Sequence, residues 1–355
     1  MFRCREKNRS GIILLVALWI LGILSVLAIG LGRRTAIDLS LTRYTVGKVK
    51  ANHLAWAGLM YAMNQIQKDT NDLTTNSKDT LYQCGITLDE GQRPEDIFKE
   101  ISLGEGYFDI RYVTPDSKEV RYGLEDEERR LNINALNQQN DKALSNLIVL
   151  LGFDEEAAAT IAASVVDWRD EDSTVTNPPF GGEDNDYMAL AKPFHCKNLP
   201  FDSIEELLLV KGMTPQIFQK LKDYVTVFPQ EARALLVNLE TAPEIIIRAL
   251  ARSVAGPITN TEIADSDSLA SKLLAYRRGE DSRDFTADDR SVDENQLGLN
   301  AKEMVIFLAI KAQTTSASHY LRMHIRGVEG ASSVHSDVEA VVYRDDLSIV
   351  YWHRD

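Results

Sequence analysis

IILLVALWILGILSVLAIGL, residues 12–31, holds twenty consecutive positions without a charge and without Asn, Gln or His. At 1.5 Å of rise per residue it makes a helix of about 30 Å, the thickness of a bilayer's hydrocarbon core. A secretory signal peptide would carry a shorter apolar region, about 7–15 residues, and an A-x-A-like cleavage site after it. Neither condition is met, so the stretch reads as a membrane-crossing helix. Before it, MFRCREKNRSG sets Arg3, Arg5, Lys7 and Arg9 against Glu6. That bias keeps residues 1–11 cytoplasmic, although Arg33 and Arg34 beyond the span reduce the asymmetry. Everything past Leu31 is then expected outside the inner membrane.

The helical pattern continues past the span. Ile37, Leu41, Tyr44, Val49, Trp56, Met60, Met63 and Ile66 recur at steps that suit 3.6 residues per turn, and the first proline is Pro94. One helix is expected from Ile12 to Lys68, apolar all round in its first half and amphipathic in its second, with a folded domain against the apolar stripe.

A short basic leader ending in Gly11, followed at once by this helix, resembles the class III signal of type IV pilins and type II secretion pseudopilins. The resemblance implies cleavage by a prepilin peptidase after Gly11 and methylation of the new N-terminus, Ile12. Most family members have Glu at the fifth mature position, where this chain has Val16. A carboxylate in a bilayer costs several kcal/mol unless paired, and in the family its partner is the N-terminal amine of the subunit nearer the tip. A subunit with nothing above it needs no such carboxylate. Val16 therefore resembles the tip-specific position of the K-type minor pseudopilins.

At 355 residues and 39.8 kDa the chain is about twice a usual single-domain pilin length of about 100–200 residues. The excess lies in the middle. GYFDIRYVTPDSKEVRYGLEDEERRLNINAL, from Gly106, gives two strand runs around Pro115, an acidic turn, and Leu131 to Asn134. Residues 201–213, FDSIEELLLVKGM, resemble the family's helical hairpin, with Ser203 as N-cap and Glu206 at the third helical position. Residues 237–244, VNLETAPE, resemble the start of a second unit. Three strands with turns at Gly327–Gly330 and Asp345–Asp346 close the chain. The expected fold is α+β: a pilin-like long N-terminal helix packed on a C-terminal antiparallel sheet, with a large inserted all-α domain of helical-hairpin (SAM-like) units. The expected boundaries are 1–11 for the leader, 12–68 for the helix with 12–31 in the membrane, 69–125 and 313–355 for the pilin-like body, and 126–312 for the insertion.

Lys and Arg total 39 against 53 Asp and Glu, a net charge of −14, and the leader removes more base than acid. A chain this acidic is repelled by nucleic-acid phosphates, and the hairpin at Val210–Met213 offers only Lys211. No nucleic-acid partner is expected. With 44% apolar and 26% charged residues the chain is a folding one.

Asp167, Asp170, Glu171, Asp172, Glu183, Asp184 and Asp186 face a single Arg169 within twenty residues. Each like-charge pair about 5 Å apart costs roughly 0.8 kcal/mol even in water. Two readings stand: a solvated acidic loop, or a Ca²⁺ site of hard oxygen ligands folded together at Gly181-Gly182. No D-x-D-x-D-G EF-hand loop is present. The family resemblance implies Ca²⁺ in the insertion at D-W-x-D-x-D and G-x-E-D, which match Asp167–Asp172 and Gly181–Asp184; the candidate ligands are Asp167, Asp170, Asp172, Glu183, Asp184 and Asp186. A second acidic run, Glu280 to Glu294, reads as a solvated loop. Cys4 leaves with the leader, so Cys84 and Cys196 are either a disulfide or two buried thiols.

No G-x-S-x-G, G-x-x-x-x-G-K-[ST] or zinc-ligand spacing occurs, so neither an enzyme nor a transition-metal protein is expected. The resemblance implies a minor pseudopilin at the tip of the type II secretion pseudopilus, nucleating or capping it with other minor pseudopilins (types I and J) for export of folded proteins. The alternative is a minor pilin of a type IV pilus.

Overall fold

The computed structural model describes residues 10–70, 93–114, 118–284, 286, 288–330 and 334–354. Helix α1 runs unbroken from Ser10 to Thr70. Its hydroxyls do not oppose the apolar environment, because Ser25 and Thr35 donate to the carbonyls of Leu21 and Leu31 one turn back. Residues 12–31 are all exposed, and α1 is the one described helix long and apolar enough to span a membrane.

The second half of α1 lies on an antiparallel sheet, and its inner face coincides with the expected stripe only at its end, where Ile66 is buried and Met63 packs against the core. Gly47, Ala51, Leu54, Ala55, Gly58, Leu59, Ala62 and Ile66 are buried. Of the larger residues expected inside, Val49, Trp56 and Met60 are about half exposed. The reason is how closely helix and sheet approach. A Cβ on Gly327 would collide with the Ala51 carbonyl and the Ala55 amide, and one on Gly58 would stand 2.5 Å from Ile325 Cγ2. Gly327 therefore lies inside a strand under the helix, and not in the turn assigned to it from sequence.

The sheet comprises β1 (Ile101–Leu103), β2 (Gly106–Val113), β9 (Tyr320–Glu329), β10 (His335–Tyr343) and β11 (Ile349–Arg354) in that order. Two short strands, β3 (Val120–Tyr122) and β4 (Glu125–Asp126), pair with β2 and β9. Strict alternation puts Phe108, Ile110, Tyr112, Leu321, Met323, Ile325, Val338, Ala340 and Val342 on the α1 side, where they form one core. A five-residue helix α2 (Pro94–Phe98) adds Phe98 to it.

Between β4 and β9 lies a second core built by α3 (Lys142–Leu150), α4 (Glu155–Arg169), α5 (Asp184–Met188), α6 (Pro215–Leu221), α7 (Glu244–Val254), α8 (Ile263–Arg277) and α9 (Ala301–Ile310). This block is not wholly helical. Two parallel pairs lace it, β5 (Leu131–Asn132) with β6 (Val225–Thr226) and β7 (Val237–Asn238) with β8 (Thr314–Thr315). The segment after Ser203 is a 3-10 turn, Ile204–Leu209, whose Glu206 carboxylate accepts from the Ser203 amide at 3.3 Å.

The acidic turn expected after β3 is a buried ionic junction. Glu125 accepts from Arg129 Nη1 at 3.3 Å and Arg130 Nη2 at 2.6 Å; Glu127 pairs with Arg130 Nη1 at 2.6 Å and with Arg322. Asp126 takes Asn238 Nδ2 at 2.9 Å and Thr241 Oγ1 at 2.5 Å, and Glu128 takes His319 Nδ1 at 3.1 Å. All four acids are buried. Burial alone would raise the Glu127 carboxyl, but Arg322 and Arg130 hold it down at about 2. Asp126, with burial and Glu128 against it, is pushed up to about 7.

The run Glu280 to Glu294 is likewise more than a solvated loop. Asp284 accepts from Arg277 Nη2 at 2.6 Å and Arg278 Nη2 at 2.9 Å, and its carbonyl takes Arg121 Nη1 at 2.9 Å. Asp288 accepts from the Glu280 and Asp281 amides at 2.6 and 3.1 Å. Burial disfavours the charged Asp284, and the two guanidinium groups overcome it and lower its carboxyl.

Candidate metal centre

Helix α4 starts where Asp154 accepts from the Glu156 and Ala157 amides, and its alanine-rich body buries one face. Its last turn carries Asp167 and Trp168, and Asp170 caps it. Carboxylates at a helix C-terminus face the negative end of the dipole, which sharpens their mutual repulsion. Trp168 fixes this end by its aromatic packing, with Tyr187 at 5.3 Å and Phe194 at 6.1 Å between ring centroids.

The chain then turns through Thr174 to Phe180 and returns at Gly181. Thr176 donates its amide to Asp167 Oδ1 at 2.9 Å. A Cβ on Gly181 would collide with Asp167 Oδ2, so glycine is required for the returning backbone to pass this close. The passage carries Glu183 back to the end of α4. One carboxylate oxygen each of Asp170, Asp172 and Glu183 then lie within 4.8 Å of one another.

Four oxygens here are buried and accept no hydrogen bond among the described residues: Asp167 Oδ2, Asp170 Oδ1 and both of Glu183. Such a group costs about 1–3 kcal/mol, and more when charged. Burial, then the charges of Asp167 and Asp170, push the Glu183 carboxyl up to about 7. Burial, then Asp172 and Asp167, push Asp170 up to about 6, and burial raises Asp167. Arg169 offsets the charge of Asp170 only in part. Its guanidinium donates to the carbonyls of Asn134, at 2.8 Å, and Leu136.

Oxygens bound to one Ca²⁺ at 2.3–2.6 Å lie no more than about 5 Å apart, and an all-carboxylate set suits a hard cation. The convergence and the orphaned oxygens therefore fit Ca²⁺. The structure gathers Asp170, Asp172 and Glu183 with Asp167 beside them, and directs the other two candidates elsewhere. Asp184 accepts from the Cys196 amide at 2.7 Å and faces His195 Nδ1 at 3.0 Å; both hold its carboxyl below the usual range. Asp186 pairs with Lys211 at 2.9 Å. In the sequence Lys211 stands out only as the hairpin's one base; its tie to the acidic run has no sequence signal, because it crosses from one helical unit to another.

Cys196 is buried, its thiol directed at the Asp167 carbonyl 3.5 Å away and pushed up to about 12 by that burial. Cys84 lies outside the described residues, as do residues 1–9 of the leader. Gly11, Ile12 and Val16 stand exposed on the first turns of α1.

Residues 129–230 match the family described as type II secretion system (T2SS), protein K. The chain is 26% identical over 244 residues to the type II secretion system protein K of Klebsiella pneumoniae, covering 66% of this chain and 67% of that one. For the protein of the same name from Pseudomonas aeruginosa the values are 23% over 251 residues, 69% of each. The fold is similar to a chain of the crystal structure of the GspK-GspI-GspJ complex from the enterotoxigenic Escherichia coli type 2 secretion system. The TM-score is 0.60 at 17% identity, and the match covers 91% of this chain and 99% of that one.

Proposed function

We propose that the chain belongs to the type II secretion protein K family, and that this minor pseudopilin stands at the tip of the periplasmic pseudopilus, where it nucleates or caps assembly. The observation that carries the position is Val16, an uncharged residue on the bare apolar face of α1. A subunit placed above would ask for a carboxylate there. The helical block between β4 and β9 supports the same placement, since its bulk would have to be accommodated by any subunit stacked above. The relatives are proteins of type II secretion, which favours that system over a type IV pilus.

In this reading prepilin peptidase removes residues 1–11 and the new Ile12 is methylated. Helix α1 is a single-pass anchor in the inner membrane, and the part beyond Leu31 is periplasmic. Other minor pseudopilins, types I and J, are the partners, supported by the composition of the similar solved complex. The role is structural, with no catalytic step and no nucleic acid. Bound Ca²⁺ supplies the positive charge that offsets the buried carboxylates. Asp170, Asp172 and Glu183, with Asp167, would hold it, and Trp168 and the Gly181 passage orient them.

Label on this protein at one end of isolated pseudopili is the expected outcome, with an intact mass that begins at methylated Ile12. Label along the whole fibre would overturn the tip assignment.

A further inference from the structure

Glu183 reaches the end of α4 only if residues 181–186 keep their path, and one side chain from another unit touches that path three times. Lys211 lies in the turn between the 3-10 segment Ile204–Leu209 and α6. Its Nζ donates to the Gly181 carbonyl at 2.8 Å and pairs with Asp186 Oδ1 at 2.9 Å. Its stem lies over Gly182, where an added Cβ would stand 2.8 Å from Lys211 Cδ. Its own backbone amide donates to the Tyr187 hydroxyl at 3.2 Å. These contacts bracket Glu183, one of whose oxygens lies within 4.8 Å of an oxygen each of Asp170 and Asp172, and neither of whose oxygens takes a hydrogen bond among the described residues.

We propose that Lys211 is a positioning residue for the metal centre: it pins the Gly181–Asp186 turn so that Glu183 meets Asp170 and Asp172, and Asp186 is the other half of the pin and not a ligand. The proposal rests on the Ca²⁺ reading above and predicts a sign that simple electrostatics reverses. Removing a positive charge beside a cation site strengthens cation binding by Coulomb's law. Removing a group that holds a ligand in place weakens it, commonly by about 10–100-fold.

The test is a Tb³⁺ titration of the full-length protein in detergent, read by luminescence sensitised through Trp168, with Ca²⁺ as competitor. Wild type binds Tb³⁺ and releases it to Ca²⁺. Lys211→Met and Asp186→Asn each weaken binding on the order of tenfold, the double variant is no weaker than either, and Lys211→Arg restores most of the affinity. Because Asp186→Asn removes the charge from the same pair while keeping the lysine stem, a misfolded Lys211→Met does not decide the matter; melting in chelator identifies it. Binding by Lys211→Met as tight as wild type overturns the pin. So does a far larger loss in Asp186→Asn that adds to the lysine effect, which would make Asp186 a ligand. Wild type that takes up no Tb³⁺ removes the Ca²⁺ reading itself, and the pin with it.

Discussion

Glu125–Arg130 and Asp167–Asp172 are two short runs of comparable acidity, and both bury carboxylates, yet they solve the problem of buried charge in opposite ways. In the first, Arg129, Arg130 and Arg322 sit against Glu125 and Glu127 within the fold. In the second, the one arginine donates to backbone carbonyls, and four buried oxygens have no donor among the described residues. A buried ion pair is sensitive to the loss of either member, whereas an uncompensated cluster invites a cation from solution. Acid content does not tell these apart; the direction in which the nearest guanidinium points does.

The largest expected effect is at the first run. Glu127→Ala leaves Arg130 and Arg322 buried beside an empty place and should cost about 3–5 kcal/mol of folding stability, read by chemical denaturation. A cost under about 1 kcal/mol would mean that the junction is not held by its charges. At the second run, Ca²⁺ at a hundredfold excess over Kd should stabilise by about 2.7 kcal/mol, a rise of a few degrees in Tm over chelator. Asp170→Ala with Asp172→Ala should abolish that rise, and Glu171→Gln, an exposed neighbour, should leave it intact. Equal melting in Ca²⁺, Mg²⁺ and chelator would put the second run back among solvated loops.

A smaller effect comes from pH. Glu240 is buried and accepts from the Val292 amide at 3.0 Å; burial pushes its carboxyl up to about 7, with that amide and then Arg277 only partly opposing. Its folded value lies above the unfolded one of about 4.3. Its contribution is therefore fully present below about pH 4.3 and lost as pH rises through about 7, with a slope approaching 1.4 kcal/mol per unit. Glu240→Gln should remove one proton's worth of slope between about pH 5 and 7, leaving that of the other raised carboxyls, Asp126, Glu183 and Asp170. Glu127, held at about 2, contributes above about pH 4.3 and loses its contribution only as pH falls from there toward 2. Denaturation at pH 5, 6 and 7 tests this, and an unchanged slope in Glu240→Gln would show that the carboxylate is charged throughout.

The sequence by itself determined the elements whose periods are local. Twenty apolar positions make a spanning helix wherever they stand, and the alternation from Tyr320 to Tyr343 makes strands with one buried face. It also marked Asp167–Asp172 and Gly181–Asp186 as two acidic segments to be read together, because seven acids so close need an explanation. Only the tertiary structure decided which face of α1 is inside. Apolar size pointed to Val49, Trp56 and Met60, but the sheet approaches so closely at Gly327 that Gly and Ala form the contact, and shape complementarity between two elements is not written in either. The same holds for the acids. Arg322 lies nearly two hundred residues from Glu127 and Lys211 comes from a separate helical unit. Whether a carboxylate is paired, pinned or left for an ion depends on which distant side chain the fold brings beside it.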